Sequence, residues 1–360
     1  MNKKIRLSYI ILSAVFLILA VSVILFFSVC FYKKTNSAAD TPAAISASVS
    51  SRIPVAEYIS LSEHTDEDTL AAILQEEIPT NPCSDLSVPT YITKVDDTYF
   101  IVDCYHNQVI YHENLSDPLY EWHVMTDEIN MGHTLASDGI VYLVDDTENN
   151  RILIFEKEDG RFLHTQTFSE IGNRPHYIIY DENTDTFYAW SSMSGEMYLF
   201  RHNVDDTRMY LTEIRKIESL SDVYVRSFTI LDGDIYFVSG NSSIIRADLN
   251  TFEILDTYPV PDTIAGMIQL TQIQDYFYLT ISTDITGNQD YATIIRTKKL
   301  SNLKKGKYED IYENFIGGGT PYYITHFDDA FFLTEHRLPG HSIWRFQVID
   351  NELSEVQTIY

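Results

Sequence analysis

Histidines carry most of the potential for chemistry in this sequence. The chain has 11 of them, and five can be considered together with one arginine: His106, His133, His176, His336, His341 and Arg226. A neutral imidazole is a common ligand of transition metals, and three imidazoles with one open position suit a catalytic metal site. Whether these side chains can act together depends on the elements that position them.

An internal repeat indicates what those elements are. Residues 99–110 (YFIVDCYHNQVI) and 141–152 (VYLVDDTENNRI) align without gaps at an offset of 42 residues. The shared pattern is an apolar strand, an aspartate, three variable residues, an asparagine and a second apolar run. Weaker copies begin near Thr186, Asp234, Asp275 and Ala330, which brings the number of copies to six.

Each copy is preceded by a short apolar run and a turn, and most copies are followed by a fourth strand-like run. Four short strands in a unit of about 40–55 residues, repeated around a ring, are typical of propeller blades. The alternation of period two excludes a helical solenoid. The sequence therefore predicts an all-β fold, a six-bladed β-propeller over residues 85–360. Its sixth blade should end with its own outer strand at residues 354–360.

In such a ring, the starts of the innermost strands share one face with the loops between second and third strands. The inner-strand starts would contribute Thr90, His133, His176, Arg226, Gly266 or Met267, and Tyr322. The loops would add His106, His336 and His341. Two histidines and an arginine at equivalent positions are more polar than packing requires. We therefore predict a ligand-binding site at this central funnel.

The segments VDCYHNQVI and VDDTENNRILIF resemble NHL-type repeats, in which an apolar strand and an aspartate precede a short turn containing asparagine. The resemblance is good in blades one and two, weaker elsewhere, and implies only the fold. Propellers of this kind include binding scaffolds, lyases, lactonases and sugar-binding proteins.

Peptidyl-amidoglycolate lyases also resemble this fold and place zinc-binding histidines near inner-strand starts. That likeness implies His133 and His176 as tentative ligands of zinc or a similar divalent transition metal. No third histidine occupies an inner-strand start. The other interpretation needs no cofactor, since both histidines could line a water-filled funnel and form hydrogen bonds with the ends of strands.

Other polar residues point to structural roles. Asp103 and Asp145 precede turns that contain asparagine, where a carboxylate can accept hydrogen bonds from nearby backbone amides. No nucleophile elbow, HExxH motif or kinase motif is present. Cys83 and Cys104 could form a disulfide or remain free.

The charge balance restricts the partners. The chain has 25 Lys and Arg against 52 Asp and Glu, a net charge of −27. Such a surface repels phosphate backbones, which excludes nucleic acid as the expected partner.

The N-terminal region has the composition of a membrane anchor. Residues 7–32 carry no charge and exceed the about 20 apolar residues that cross a bilayer. We therefore predict a single-pass transmembrane helix at 7–32 after a cytoplasmic arm at 1–6, because cations are slightly more numerous on the N-terminal side. A flexible stalk would follow at 33–52, and an extended and helical segment at 53–84 would pack on the propeller.

These features together predict a membrane-anchored extracytoplasmic propeller. It would bind a protein, peptide or small molecule through its funnel face and is not expected to be an enzyme. The alternative is a metal-dependent lyase or hydrolase that uses the funnel histidines.

Overall fold

The computed structural model describes residues 48–49, 56–58, 73–204, 206–315, 319–336 and 343–360. The predicted arm, transmembrane helix and most of the stalk lie outside these residues, as does His341. Within the described part of the chain, no helix has the length and apolar character needed to span a membrane.

The structure is almost entirely β. Its strands are, in chain order, β1 (Ser48–Val49), β2 (Ala56–Tyr58), β3 (Pro89–Val95), β4 (Thr98–Asp103), β5 (Gln108–His112), β6 (His123–Thr126), β7 (Leu135–Ser137), β8 (Val141–Asp146), β9 (Arg151–Glu158), β10 (Arg161–Phe168), β11 (Pro175–Asp181), β12 (Thr186–Ser191), β13 (Glu196–Arg201), β14 (Tyr210–Lys216), β15 (Val225–Leu231), β16 (Asp234–Ser239), β17 (Ser243–Asp248), β18 (Ile254–Pro259), β19 (Gly266–Ile273), β20 (Tyr276–Thr283), β21 (Thr293–Thr297), β22 (Glu309–Asp310), β23 (Thr320–Phe327), β24 (Ala330–His336), β25 (Ile343–Ile349) and β26 (Glu352–Thr358).

Short 3-10 turns connect these strands. They span Cys104–His106, Leu119–Glu121, Thr147–Asn149, Glu218–Leu220, Asp262–Ile264, Gln289–Tyr291, Leu300–Lys305 and Tyr312–Phe315. Of the helical segment predicted before the propeller, only its end is described, where residues 73–75 are helical.

From β3 onward the strands form six antiparallel sheets of four consecutive strands each: β3–β6, β7–β10, β11–β14, β15–β18, β19–β22 and β23–β26. These sheets are the six blades, so the predicted propeller is confirmed. Buried side chains form apolar clusters that join neighbouring blades, as between blades one and two. The inner strands surround the centre of the ring.

The repeat has a structural offset of 43 residues, so the predicted offset of 42 was wrong by one. The evidence is the hairpin pairing, since Asp103 pairs with Gln108 and Asp146 pairs with Arg151. Side chains alternate between the two faces of a strand, so a slip of one residue would turn every apolar side chain to the wrong neighbour. Packing agrees, because Val109 contacts the next blade just as Ile152 does.

The ring closes without a strand shared between the first and last blades, as predicted. β26 is the outer strand of blade six. Side chains join blade six to blade one instead: Lys94 Nζ lies 2.8 Å from Asp328 Oδ1, and the Tyr360 hydroxyl donates to the Leu115 carbonyl at 2.6 Å.

The segment before blade one pairs with the outer edges of three blades. Thr80 forms a bridge with His123 of blade one, β2 pairs with β10 of blade two, and β1 pairs with β14 of blade three. The extended part of the predicted packing segment therefore adds strands to the ring. Ser48–Val49 lies in the predicted flexible stalk but is paired, because the open edge of β14 offers backbone partners.

The two cysteines of the described residues are both free thiols. Cys104 is buried, and Cys83 is partly exposed. The possible disulfide between them is not formed in this structure.

Candidate functional site

A cavity of about 220 Å³ opens at the face where the inner strands start. Inner-strand starts and the loops preceding them contribute Val88, Thr90, Met131, His133, Arg174, Tyr224, Arg226, Thr320 and Tyr322. The second-to-third-strand connections contribute Cys104, Tyr105, Ser282, Thr283, Gln289 and His336. The sequence predicted that cavity residues would come from these two places, the inner-strand starts and the second-to-third-strand loops.

Five of the predicted site residues line this cavity: Thr90, His133, Arg226, Tyr322 and His336. His176 is fully buried beneath it and is not a lining residue. His106 is instead held beside Asp103, with its Nδ1 2.6 Å from Asp103 Oδ2. Gly266 and Met267 do not line the cavity, since blade five reaches it through other residues.

The inner strands pair irregularly beside the ring residues. The ladder between the first and second strands skips Thr90, His176, Arg226 with Ser227, and Tyr322 with Tyr323, and in blade five it skips Ile268, next to the predicted position Met267. A bulge of this kind redirects a side chain and interrupts pairing. The ring residues are therefore not free to follow the ordinary alternation of the strand.

In blades one to three, the ends of the second strands hold the chain just before the ring residue. The backbone N–H of Ser87 donates to Asp103 at 2.7 Å, and that of Asn130 donates to Asp146 at 2.8 Å. In blade three, Ser191 Oγ accepts from the Asn173 N–H at 2.7 Å. These bonds fix the path of the loops that carry the cavity residues.

Asp145 has a related role in blade two. Its carboxylate accepts the backbone N–H groups of His133 at 2.9 Å and Thr134 at 2.6 Å. Burial raises the pKa of Asp145 to about 6, although hydrogen bonds from Thr134 and Thr147 oppose the shift. Asp103 and Asp145 therefore have structural roles, as expected, but the backbone amides that they accept from lie before the inner strands and not in the turns that contain asparagine.

His176 has both ring nitrogens occupied. Nδ1 lies 3.0 Å from the Arg226 carbonyl, which can only accept, so Nδ1 carries the proton. In the neutral ring Nε2 then accepts, and the Tyr224 hydroxyl lies 3.1 Å from it. Burial, assisted by the neighbouring His133, holds the pKa of His176 well below its ordinary value. The ring is therefore a neutral structural element under the cavity.

His133 stacks on His176, with ring centroids 3.8 Å apart and an angle of 27° between the planes. Its Nδ1 lies 3.0 Å from Thr147 Oγ1. That hydroxyl has one proton and is also within reach of an Asp145 oxygen and the Pro175 carbonyl, so His133 Nδ1 is the donor. Burial and the charges of Arg174 and Arg226 lower the pKa of His133 to about 3.

Tyrosines close the channel below the two histidines. The ring of Tyr323 lies 4.6 Å from that of Tyr322, 5.0 Å from that of Tyr177 and 6.0 Å from that of Tyr91. Beyond them, a second cavity of about 370 Å³ opens at the other end of the inner strands. The funnel is therefore a pocket with a floor and not an open pore.

The cations of the funnel are two arginines. Arg226 donates to the Ser282 hydroxyl, and its guanidinium carbon lies 5.1 Å from the centre of the Tyr224 ring. Arg174 pairs with Glu148. An arginine remains charged at any pH of interest, so these two side chains keep a positive charge in the funnel.

The arrangement does not favour a metal site at His133 and His176. Stacked rings direct their in-plane lone pairs side by side, and both nitrogens of His176 already have partners. Among the residues that the structure describes, no group of three or more His, Cys, Asp or Glu residues is placed to hold a metal ion.

Sequence reasoning missed Arg174 and Tyr224. Both precede the ring residue of their blade by two positions, and Val88 and Met131 do the same in blades one and two. Val88, Met131 and Arg174 share a left-handed backbone with φ between 57° and 63°. The spacing of 43 residues between them was a signal, since the same spacing separates the predicted ring residues Thr90, His133 and His176.

Comparisons with known proteins support the fold alone. No protein-family profile matches the chain, and no curated protein matches it in sequence. Similar solved structures include a candidate 6-phosphogluconolactonase from Bacteroides uniformis, at 12% identity and a TM-score of 0.53 over 78% of this chain and 86% of that one. A streptogramin B lyase is similar at 16% identity and a TM-score of 0.51, again over 78% and 86%. Sqt1 from Saccharomyces cerevisiae is similar at 9% identity and a TM-score of 0.51, over 78% and 88%.

Proposed function

We propose that this chain is a membrane-anchored extracytoplasmic β-propeller that binds a ligand or partner through its funnel. The observation that carries the proposal is the cavity itself, which is lined by side chains from several blades and closed by a floor of histidine and tyrosine rings. Concave sites with a few convergent polar groups are the usual binding sites of proteins.

The membrane anchor and the NHL-type character of the repeats are parts of this proposal. Residues 7–32 are uncharged, with Lys3, Lys4 and Arg6 before them and Lys33 and Lys34 after them. An extracytoplasmic propeller would leave only residues 1–6 inside the cell. Intact cells carrying a C-terminal epitope test the orientation: the epitope should be open to external protease and the chain should fractionate with membranes.

A binding role is favoured over catalysis by the state of the central side chains. His176 is neutral with both nitrogens bonded, and His133 donates to Thr147. The hydroxyls beside these rings, those of Thr147 and Tyr224, take part in the same hydrogen bonds. The alternative, a lyase or hydrolase that uses a metal on the funnel histidines, needs ligands that these bonds already engage.

Filling the cavity tests the proposed site. Thr283 lines the funnel, whereas Thr271 lines the cavity at the other end of the inner strands. A thermal-shift screen of the full chain in detergent against small metabolites should give stabilising compounds. Their effect should be lost in Thr283→Trp and retained in Thr271→Trp.

A stabilising effect that is retained in Thr283→Trp and lost in Thr271→Trp would place the binding site in the cavity at the other end of the inner strands. Loss of the effect in both variants, with normal folding of each, would count against a discrete funnel site. Stabilisation that requires added zinc and disappears in His133→Ala would favour the enzyme alternative.

A further inference from the structure

We propose that the funnel binds a small anion, through a carboxylate or phosphate group held by Arg226 and Arg174. This inference rests on the proposed function and names the chemical class of its ligand. It is carried by the charge of the cavity wall, the bonding of the two arginines and the size of the space.

The cavity wall has the opposite charge to the rest of the chain. Acidic residues outnumber basic ones by 52 to 25 in the sequence, yet the wall includes two arginines and no aspartate or glutamate among its described residues. Two buried carboxylates near the cavity already accept hydrogen bonds: Asp145 from His133, Thr134 and Thr147, and Glu335, beside the lining residue His336, from Tyr312 and Trp344. An anion in the cavity would therefore meet cations without a competing acid on the wall.

Arg226 is the better placed of the two cations. Its guanidinium is fixed by the Ser282 hydroxyl and by the face of Tyr224. Within the described residues it forms no ion pair with a carboxylate, in contrast to Arg246 on the same blade. A guanidinium has five N–H donors, so Arg226 keeps donors for a bidentate contact with a carboxylate or phosphate.

Arg174 supplies a second charge from the rim. It pairs with Glu148, which is partly exposed, and it also lines the cavity. Burial is the main cause that lowers the pKa of His133, and the charges of both arginines add to the shift. Two guanidinium charges therefore belong to the lining of one cavity.

One further polar atom points to a ligand. Thr320 lines the cavity, its hydroxyl oxygen is buried, and that oxygen has no hydrogen-bond partner among the residues that the structure describes. Buried polar atoms are nearly always bonded, and an unpaired one calls for a partner such as a ligand or a water. At about 220 Å³, the cavity is smaller than the roughly 300–1,000 Å³ of pockets for drug-sized molecules, so the ligand is small.

Titration calorimetry of the full chain in detergent can test this inference with matched probes. Malonate represents a carboxylate source, inorganic phosphate represents a phosphate source, and malonamide is the uncharged counterpart of malonate. We expect malonate, phosphate or both to bind with about one site per chain, and malonamide to give no heat of binding. Affinity should fall with added salt, because the attraction is electrostatic.

Variants assign the binding to the arginines. Arg226→Gln should weaken anion binding by about 10- to 100-fold, the loss expected for a charged hydrogen bond. Arg226→Lys should recover only part of it, because lysine lacks the planar fork. Arg246→Gln, of similar exposure on the same blade, should bind like the wild type. If Arg226→Gln fails to fold, Arg174→Gln at the rim provides the same test with a smaller loss.

Failure of both anions to bind at low salt, or equal binding to Arg226→Gln, would overturn the inference. A neutral compound that binds the wild type and fails to bind Thr283→Trp would overturn the preference for an anion but keep the funnel as a binding site. The two proposals can therefore fail separately.

Discussion

Replacing His176 is the perturbation that best separates a structural floor from a ligand contact. His176→Ala removes the donor to the Arg226 carbonyl and the acceptor of the Tyr224 hydroxyl, and it leaves a space under the stacked ring of His133. A buried group left unpaired costs about 1–3 kcal/mol, and truncation of a large buried side chain adds a cavity cost. Together we expect a loss of about 3–5 kcal/mol in the free energy of unfolding.

His176→Phe separates the two contributions. It nearly conserves the volume but loses both hydrogen bonds, so we expect a smaller loss of about 1–3 kcal/mol. His326→Ala is the matched control, because His326 also lies on an inner strand, β23, but is exposed. Its stability should change by less than about 0.5 kcal/mol.

Urea unfolding of the full chain in detergent, followed by tryptophan fluorescence, measures these differences. Trp122, Trp190 and Trp344 are all buried, and Trp190 donates to the Val225 carbonyl next to Arg226. A His176→Ala variant within about 0.5 kcal/mol of the wild type would refute the reasoning, because fully buried and doubly bonded side chains do not behave so. His176 would then be a replaceable ligand contact, as the sequence suggested.

Three further predictions concern the ring. His202 faces Asp138 through Nε2 at 2.5 Å and two carbonyls through Nδ1; burial opposes protonation, but these bonds outweigh it and raise the pKa of His202. The contribution of His202 to the free energy of unfolding should be complete below about pH 6.5 and decline as the pH rises through the raised pKa. Urea unfolding should therefore find His202→Gln more destabilising at pH 6 than at pH 9. An equal loss of stability at both pH values would contradict the ion pair with Asp138. Removal of Tyr360, which bonds to Leu115 and Trp122, should lower the melting temperature by weakening ring closure, and scanning calorimetry that shows no change would contradict this role. Asp146→Ala should destabilise by about 1–3 kcal/mol, because the Asn130 N–H loses its acceptor, whereas a loss under about 0.5 kcal/mol in urea unfolding would contradict that account.

The fold could be predicted because a propeller repeats its local pattern. Short apolar runs separated by turns recur in each blade, with the aspartate and asparagine pattern clearest in blades one and two, and the alternation of period two fixes the strand type. The exact offset between the first two repeats was harder to predict. Residues 99–103 and 141–145 match position by position in residue class, and only the strand pairing shows that Asp103 corresponds to Asp146. The added strands β1 and β2 were less visible, because two or three residues on a sheet edge leave little trace in the sequence.

The site was predicted at the level of its position and less well at the level of individual residues. Ring positions follow from the strand starts, which placed Thr90, His133, Arg226 and Tyr322 correctly at the cavity. Depth does not follow from the sequence, because it depends on the side chains that other blades place above and below each ring residue. His176 lies under the stacked ring of His133 and is bonded to the Arg226 carbonyl and the Tyr224 hydroxyl, so it forms the floor.

The central claim is that the funnel binds a ligand through its own cations and not through a metal. The most direct measurement is a malonate titration of the full chain, purified without a histidine tag, before and after removal of metals with a chelator. The proposed site predicts the same affinity in both samples and a large loss in Arg226→Gln. Binding that disappears with the chelator and returns with zinc would contradict the proposed site and favour the metal-dependent enzyme.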